Sequence, residues 1–494
     1  MKVPRVMSTQ HPDNVSLPFF AETSDMSGED EIQEAYYAFS HLGCEEQMWD
    51  SEGKEVDDFV VKKLLTRYPH FFRKNRLGET CFLTLRVPNP SVEKEEAKVL
   101  VEALESIPRS MDAARLFYGD PAPAPIFEVI LPMTTSARDL NRVYFFYRHF
   151  ISGKQYQPIY EGDITLAEWV GDFLPESIQV IPLFEDIPSM LKADQILEEF
   201  LHGKDLTRIR VFLARSDPAL NYGSVAAVLG NKLALKRLER LASRLELDIY
   251  PILGVGSPPF RGNLSPHTVE LVLQEYPCVE TFTVQSAFKY DHPIEEVIEA
   301  IKKLKNFIRY PLEEFDEALA LELIEKTSRE YQRIVELLAP LVNRVARDIP
   351  RRRMRKLHVG LFGYSRSLGK VTLPRAIGFC GACYSLGLPP EILGLSALEP
   401  EELDRLKEIY RNLEKDLSLA LRYFNPRVLE ILPAEVRKAV HRSLDLVNYL
   451  SLDCYPDSAH QESTSRIIRK LKREPHPDLT DMIIEAAHLR KFLG

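Results

Sequence analysis

Ile209-Arg210-Val211-Phe212-Leu213-Ala214 runs directly into Arg215-Ser216-Asp217-Pro218-Ala219-Leu220-Asn221-Tyr222-Gly223. A β-branched apolar run that ends in a polar, glycine-closed loop reads as a strand carrying a carboxylate to its C-terminal end. One unit earlier, Ile178-Gln179-Val180-Ile181-Pro182-Leu183-Phe184 ends in Glu185 in the same way. Two acids on neighbouring strand ends face one rim and can share a divalent cation through oxygen ligands. An acid at such a place also serves as a helix N-cap, the commoner use of Asp there.

Outward from this pair, short β-rich runs alternate with helical stretches between about residues 81 and 285. Strands are expected at 81–87, 126–131, 178–184, 209–214, 248–253 and 280–285, with amphipathic helices at 92–107, 190–201 and 223–245. Repeated βα units make a parallel sheet, and six or more of them without a dinucleotide fingerprint fit a closed (β/α)8 barrel of the TIM type better than an open sheet. From about Pro311 the pattern turns helical, at 313–341, 400–424 and 433–450, while 357–363 is expected to return a strand to the barrel. The expected division is a barrel with an N-terminal catalytic segment over 1–310 and a mostly helical region over 311–494, integrated rather than separable.

Composition narrows the class. A chain of 494 residues, 45% hydrophobic, buries a large core, and a net charge of −10 argues against a nucleic-acid binder. The basic run Arg351-Arg352-Arg353-Met354-Arg355-Lys356 reads as a solvated junction or subunit contact. Six scattered cysteines make no disulfide framework, and Cys380 and Cys383 lie in an apolar stretch as buried thiols. No run reaches membrane-spanning length and no signal peptide opens the chain, so a cytoplasmic protein without a membrane partner is expected.

The strand ends gather chemistry: Arg86, the hydroxyl-rich Pro132-Met133-Thr134-Thr135-Ser136, Glu185, Asp217, the loop from Gly254 to Asn263 with Arg261, and Gln285-Ser286-Ala287-Phe288-Lys289. Acids among arginines and a lysine suit a metal ion bound together with an anionic, phosphorylated substrate. Gly254-Val255-Gly256 does not complete a dinucleotide motif. Gly363-Tyr364-Ser365-Arg366-Ser367-Leu368-Gly369-Lys370 misses a Walker A loop by one residue, with Val371 in place of the magnesium-binding hydroxyl. It still offers backbone N–H groups and Arg366 to an anion. At the N-terminus, Ser8-Thr9-Gln10-His11-Pro12-Asp13-Asn14 is polar and Pro-fixed. Pro12 holds His11 extended, as a proton-transfer group requires, and the segment is expected to fold back over the rim rather than fray.

Met7-Ser8-Thr9-Gln10-His11-Pro12-Asp13-Asn14, Pro182-Leu183-Phe184-Glu185 and Arg215-Ser216-Asp217-Pro218-Ala219-Leu220-Asn221-Tyr222-Gly223 together resemble the archaeal-type phosphoenolpyruvate carboxylases, over essentially the whole chain. The resemblance implies carboxylation of phosphoenolpyruvate by bicarbonate to oxaloacetate and phosphate, through carboxyphosphate and an enolate. It implies Mg2+ or Mn2+ on Glu185 and Asp217; His11, Arg261 and Lys289 as catalytic groups; Arg86, Arg366 and Arg375 on the substrate; and a homotetramer with subunit contacts from the helical region. Two departures stand out. Leu253-Gly254-Val255-Gly256 replaces the His-Gly-Arg-Gly of the larger enzymes. The chain reads Lys491-Phe492-Leu493-Gly494 where theirs ends in the Asn-Thr-Gly that contacts the inhibitor aspartate. Barrel architecture alone fixes no function. The alternatives are another metal-dependent phosphoenolpyruvate or pyruvate enzyme, or a non-catalytic barrel that senses an organic acid.

Overall fold

The computed structural model describes residues 2–52, 57–354, 366–368 and 371–494. Eight parallel strands close a barrel: β1 (Val6–Ser8), β2 (Glu46–Asp50), β3 (Phe82–Arg86), β4 (Glu128–Leu131), β5 (Gln179–Phe184), β6 (Arg208–Ala214), β7 (Asp248–Gly254) and β8 (Thr281–Val284). Closure is made by β1, which pairs with β2 through Met7 and Glu46 and with β8 through Met7 and Thr283. The N-terminal segment is therefore a barrel strand and not a flap folded back over the rim. Beyond Ser8 the strand-like pairing continues, with Thr9 N donating to Val284 O at 3.0 Å. The expected strand at 357–363, like most of the Walker-like loop, lies outside the described residues; the barrel closes with the eight strands above.

β1 and β2 are the two barrel strands that hydrophobic patterning does not find. β1 is three residues long, and β2 reads Glu-Gln-Met-Trp-Asp, yet all five of its residues are buried. The reason lies inside the barrel. Arg210 on β6 reaches across to Glu46 on β2 in a two-pronged pair of 2.6 and 2.8 Å, and to Glu128 on β4 at 3.0 Å, with Thr84 also on Glu46. A charged side chain that would normally mark a surface strand is here one half of a buried, hydrogen-bonded ion cluster.

The helical region packs on one side of this barrel. Helix Ser224–Leu245, which follows β6, is buried on almost every face as far as Leu238, because the barrel covers one side and later helices the other. Its Lys232 pairs with Glu275 at 2.5 Å and donates to Ile409 O, while Lys236 donates to Leu312 O at 3.0 Å. Helix Glu317–Ala346 is locked to the loop after β6 by Tyr331, whose hydroxyl donates to Leu220 O at 2.9 Å. A short hairpin, β9 (Arg366–Leu368) with β10 (Val371–Leu373), leads into helix Ala376–Ser385.

Cys380 and Cys383 are buried in that helix, and burial pushes both thiols up from their ordinary value. The basic run departs from expectation. Arg352 and Arg353 are buried, Arg353 in a pair with Glu31 and Glu34 and Arg352 on the carbonyls of Asn14 and Val15. No single helix among the described residues is long and apolar enough to cross a membrane.

Candidate active site

Strand ends at the C-terminal mouth of a parallel barrel are where its chemistry sits, since the loops there can vary without disturbing the core. Four acids and an arginine meet at this mouth. Arg86 ends β3 and forms ion pairs with Asp50 at the end of β2 (3.2 Å), with Glu52 just beyond it, and with Glu185 after β5 (3.5 Å). Glu185 Oε2 also accepts from Met133 N at 2.7 Å, so the hydroxyl-rich turn after β4 fixes the carboxylate. Asp217 sits in the first turn of helix Ser216–Tyr222, directly after β6.

The N-cap role open to a strand-end acid falls to a neighbour. Asp186 caps the helix Ile187–Met190, accepting from Ser189 N at 2.7 Å, which leaves Glu185 to face the mouth. Burial pushes Glu185 up to about 7; Arg86 opposes the shift, and the charges of Asp217 and Glu52 add to it. Glu185 and Asp217 are thus close enough to repel. A site of crowded carboxylates with one guanidinium is matched to a hard divalent cation, which removes the repulsion and takes oxygen ligands.

On the opposite wall, β1 delivers His11. Its Nδ1 lies 2.9 Å from Thr9 Oγ1, and its carbonyl accepts from Asp13 N at 3.1 Å in a tight turn. Asp13 is buried: Oδ1 accepts from Ala287 N at 2.7 Å and Oδ2 pairs with Arg261 at 3.1 Å. Arg261 lies at the end of the short 3₁₀ helix Pro259–Arg261. It donates Nε to Ser216, Nη1 to Asp13 and to Gly494 O (2.6 Å), and Nη2 to Gln285. The loop bends back at Gly262, where φ is 119° and an added Cβ would meet Val255 Cγ1 at 2.5 Å, so only glycine fits. Phe260 packs beside Tyr331 and Phe379, and Asn263 donates to Asp416, fastening the loop to the helical region.

Lys289 does not stand open at the mouth. Its three donors go to Ser8 Oγ (3.0 Å), Thr9 O (2.9 Å) and Glu34 (2.8 Å). Glu34 in turn accepts from Arg353 with both oxygens and from the Tyr290 hydroxyl. Burial alone would raise Glu34; Arg353 and Lys289 outweigh it and hold the carboxyl at about 2. Arg375 is the N-cap of helix Ala376–Ser385 and half-buried, while Arg366 opens β9.

Patterning leaves Asp50, Glu52, Glu34 and Arg353 without a role. The first two sit on the unpredicted β2. Glu34 and Arg353 are 319 residues apart in the chain, so no local pattern couples them.

The family described as phosphoenolpyruvate carboxylase matches residues 3–494. Phosphoenolpyruvate carboxylase of Methanothermobacter thermautotrophicus is 54% identical over 494 residues, with both chains covered in full. That of Methanospirillum hungatei is 53% identical over the same span, again covering both chains. That of Halobacterium salinarum is 49% identical, covering 100% of this chain and 99% of its own. Among solved structures, malate synthase of Haloferax volcanii with magnesium and glyoxylate overlaps 67% of this chain and 85% of its own, at 12% identity and a TM-score of 0.38. With a full-length match and relatives at this identity, the chain belongs to the phosphoenolpyruvate carboxylase family.

Proposed function

We infer that this barrel carboxylates phosphoenolpyruvate with bicarbonate, releasing oxaloacetate and phosphate, and that the residues at its mouth divide the work as follows. The full-length family match carries the activity; the acid cluster and the segment leading to His11 lie at the ends of strands of one barrel, with Asp50 N donating to Gln10 Oε1 at 3.0 Å, which supports the roles. Glu185 and Asp217 would hold Mg2+ or Mn2+. When bound, the ion supplies positive charge to the phosphoryl and carboxylate oxygens of the substrate. Arg86, drawn between Asp50, Glu52 and Glu185, is placed to turn toward the phosphate once a cation shares those acids.

Phosphoryl transfer from phosphoenolpyruvate to bicarbonate leaves the pyruvate enolate and carboxyphosphate. In the tautomer that places the Nδ1 hydrogen on Thr9 Oγ1, His11 Nε2 would take the carboxyphosphate proton, so that carbon dioxide and phosphate are released beside the enolate. Arg366 and Arg375 contribute substrate contacts from the helical region. Arg261 and Lys289, with their donors engaged by Asp13, Gln285, Ser8 and Thr9, act as positioning residues for the His11 turn. Residues 1–310 and 311–494 work as one integrated unit. The enzyme is cytoplasmic and a homotetramer. Exposed Phe150, Tyr156, Tyr160 and Trp169, between β4 and β5, offer apolar surface for association in addition to the helical region.

The direct test is oxaloacetate formation, followed with malate dehydrogenase and NADH, with and without bicarbonate and Mg2+. Turnover is expected only when both are present. Because Glu185 titrates near 7 without a cation, Mg2+ must displace its proton below that pH, so the apparent Mg2+ affinity is expected to weaken as pH falls through about 7. Binding of phosphoenolpyruvate without turnover would favour the sensing barrel, and turnover indifferent to bicarbonate would favour a different phosphoenolpyruvate enzyme.

Removal of residues 312–494 is expected to abolish folding rather than only activity. It would strip the apolar cover from helix Ser224–Leu245 and the Tyr331 and Phe379 contacts from the Phe260 loop. Circular dichroism and sedimentation check this, and a soluble, cooperative, active fragment would end the claim of one integrated unit.

A further inference from the structure

The chemistry of the mouth leaves one ligand-bearing cluster unused. His267 stands in the loop just before helix Val269–Glu275, on the way from β7 to β8. His292 precedes helix Ile294–Asn306 and Glu296 lies in its first turn. His267 Nε2 is 3.3 Å from Glu296 Oε2, the two imidazole rings are 5.4 Å apart at 67°, and one donor atom from each residue lies within 4.8 Å of the other two.

The ordinary explanation is a surface His–Glu ion pair beside a bystander histidine. One observation weighs against it. His292 Nδ1 is a buried atom that finds no hydrogen-bond partner among the described residues, and it lies in the same cluster as the His267–Glu296 pair. An unmatched buried polar atom is costly.

We propose that His267, His292 and Glu296 form a second divalent-cation site, selective for Zn2+ or Co2+ over Mg2+. Two imidazole nitrogens with one carboxylate oxygen are borderline ligands suited to zinc, unlike the all-oxygen pair Glu185 and Asp217. A tetrahedral ion with bonds of about 2.05 Å sets its ligands about 3.3 Å apart, the separation His267 and Glu296 already have. The ion would tie the β7 loop to the turn after β8. Asp291, next to His292, accepts from Val15 N (2.8 Å) and Ser16 N (2.7 Å), so the same tie steadies the segment that carries His11.

The test uses full-length enzyme stripped with a chelator and then kept in excess Mg2+, which occupies the acid pair at the mouth. Zn2+ titrated by calorimetry is expected to bind one equivalent per chain. His267→Ala and Glu296→Gln are each expected to weaken that binding at least tenfold. His267 is exposed, so its removal leaves the core intact. Co2+ is expected to give an intense, tetrahedral-type visible spectrum in the unaltered protein and to lose it in His292→Ala. Absence of Zn2+ binding over Mg2+, or binding that the His267 and Glu296 variants leave unchanged, would overturn the proposal.

Discussion

His11→Asn is expected to lower oxaloacetate formation by about 10²–10⁴-fold, the range general-base catalysis contributes, while phosphoenolpyruvate binding stays within a few-fold of the unaltered enzyme. The asparagine side chain can keep the contact to Thr9 Oγ1, and its size leaves the Asp13 turn in place, so the loss isolates the proton acceptor. Transfer of the phosphoryl group to bicarbonate needs no proton from His11. Phosphate release should therefore fall less than oxaloacetate formation, and the ratio of the two products is the informative quantity. Parallel measurement of phosphate and of malate-dehydrogenase-coupled oxaloacetate gives that ratio. Undiminished oxaloacetate formation would reduce His11 to a structural part of the first strand's exit.

Glu34→Gln is expected to be the most destabilising single change away from the mouth, at about 3–5 kcal/mol, because it leaves two buried cations without their shared partner. Lys289 would keep Ser8 Oγ and Thr9 O, Arg353 would keep Glu31, and the neutral amide oxygen can accept from a cation but balances the charge of neither. The pH dependence has a definite sign. Glu34 titrates at about 2 in the fold against an ordinary 4.5, so its contribution is complete above about 4.5 and is lost as pH falls toward 2. Urea unfolding should therefore show the full gap between the two proteins at pH 7 and a narrower one at pH 3. A gap of the same size at both pH values would assign the loss to packing and not to charge. Because Lys289 grips the residues just ahead of His11, the variant should also lose turnover at temperatures where it remains folded.

Much of this was legible in the chain. Asp217 and Glu185 announced themselves because each follows an apolar strand and opens a polar loop, and the structure sets them just beyond the ends of the neighbouring strands β5 and β6, with Glu185 feeling the charge of Asp217. The strands from β3 to β8 were legible for the same reason: parallel barrel strands are covered on both sides and read as apolar runs. β2 was not, since its Glu46 and Asp50 are charged residues whose partners, Arg210 and Arg86, come from other strands. β1 was too short for any periodicity, although its residues belonged to the quoted N-terminal motif.

The sequence by itself determined the class of fold, the two acids at neighbouring strand ends, the Pro-fixed turn at His11 and, through its motifs, the family. Those features depend on local pattern: strand length, the residue that ends a strand, a proline that fixes its neighbour. Only the tertiary structure decided that the N-terminal segment is the strand that closes the barrel. It also decided that Arg261 and Lys289 are enclosed by Asp13, Gln285, Ser8, Thr9 and Glu34, and that Arg353 is buried on Glu34 rather than solvated. These depend on where charges separated by hundreds of residues meet. A buried ion is stable only when its partner arrives, and whether it arrives is a property of the closed barrel, not of the neighbouring sequence.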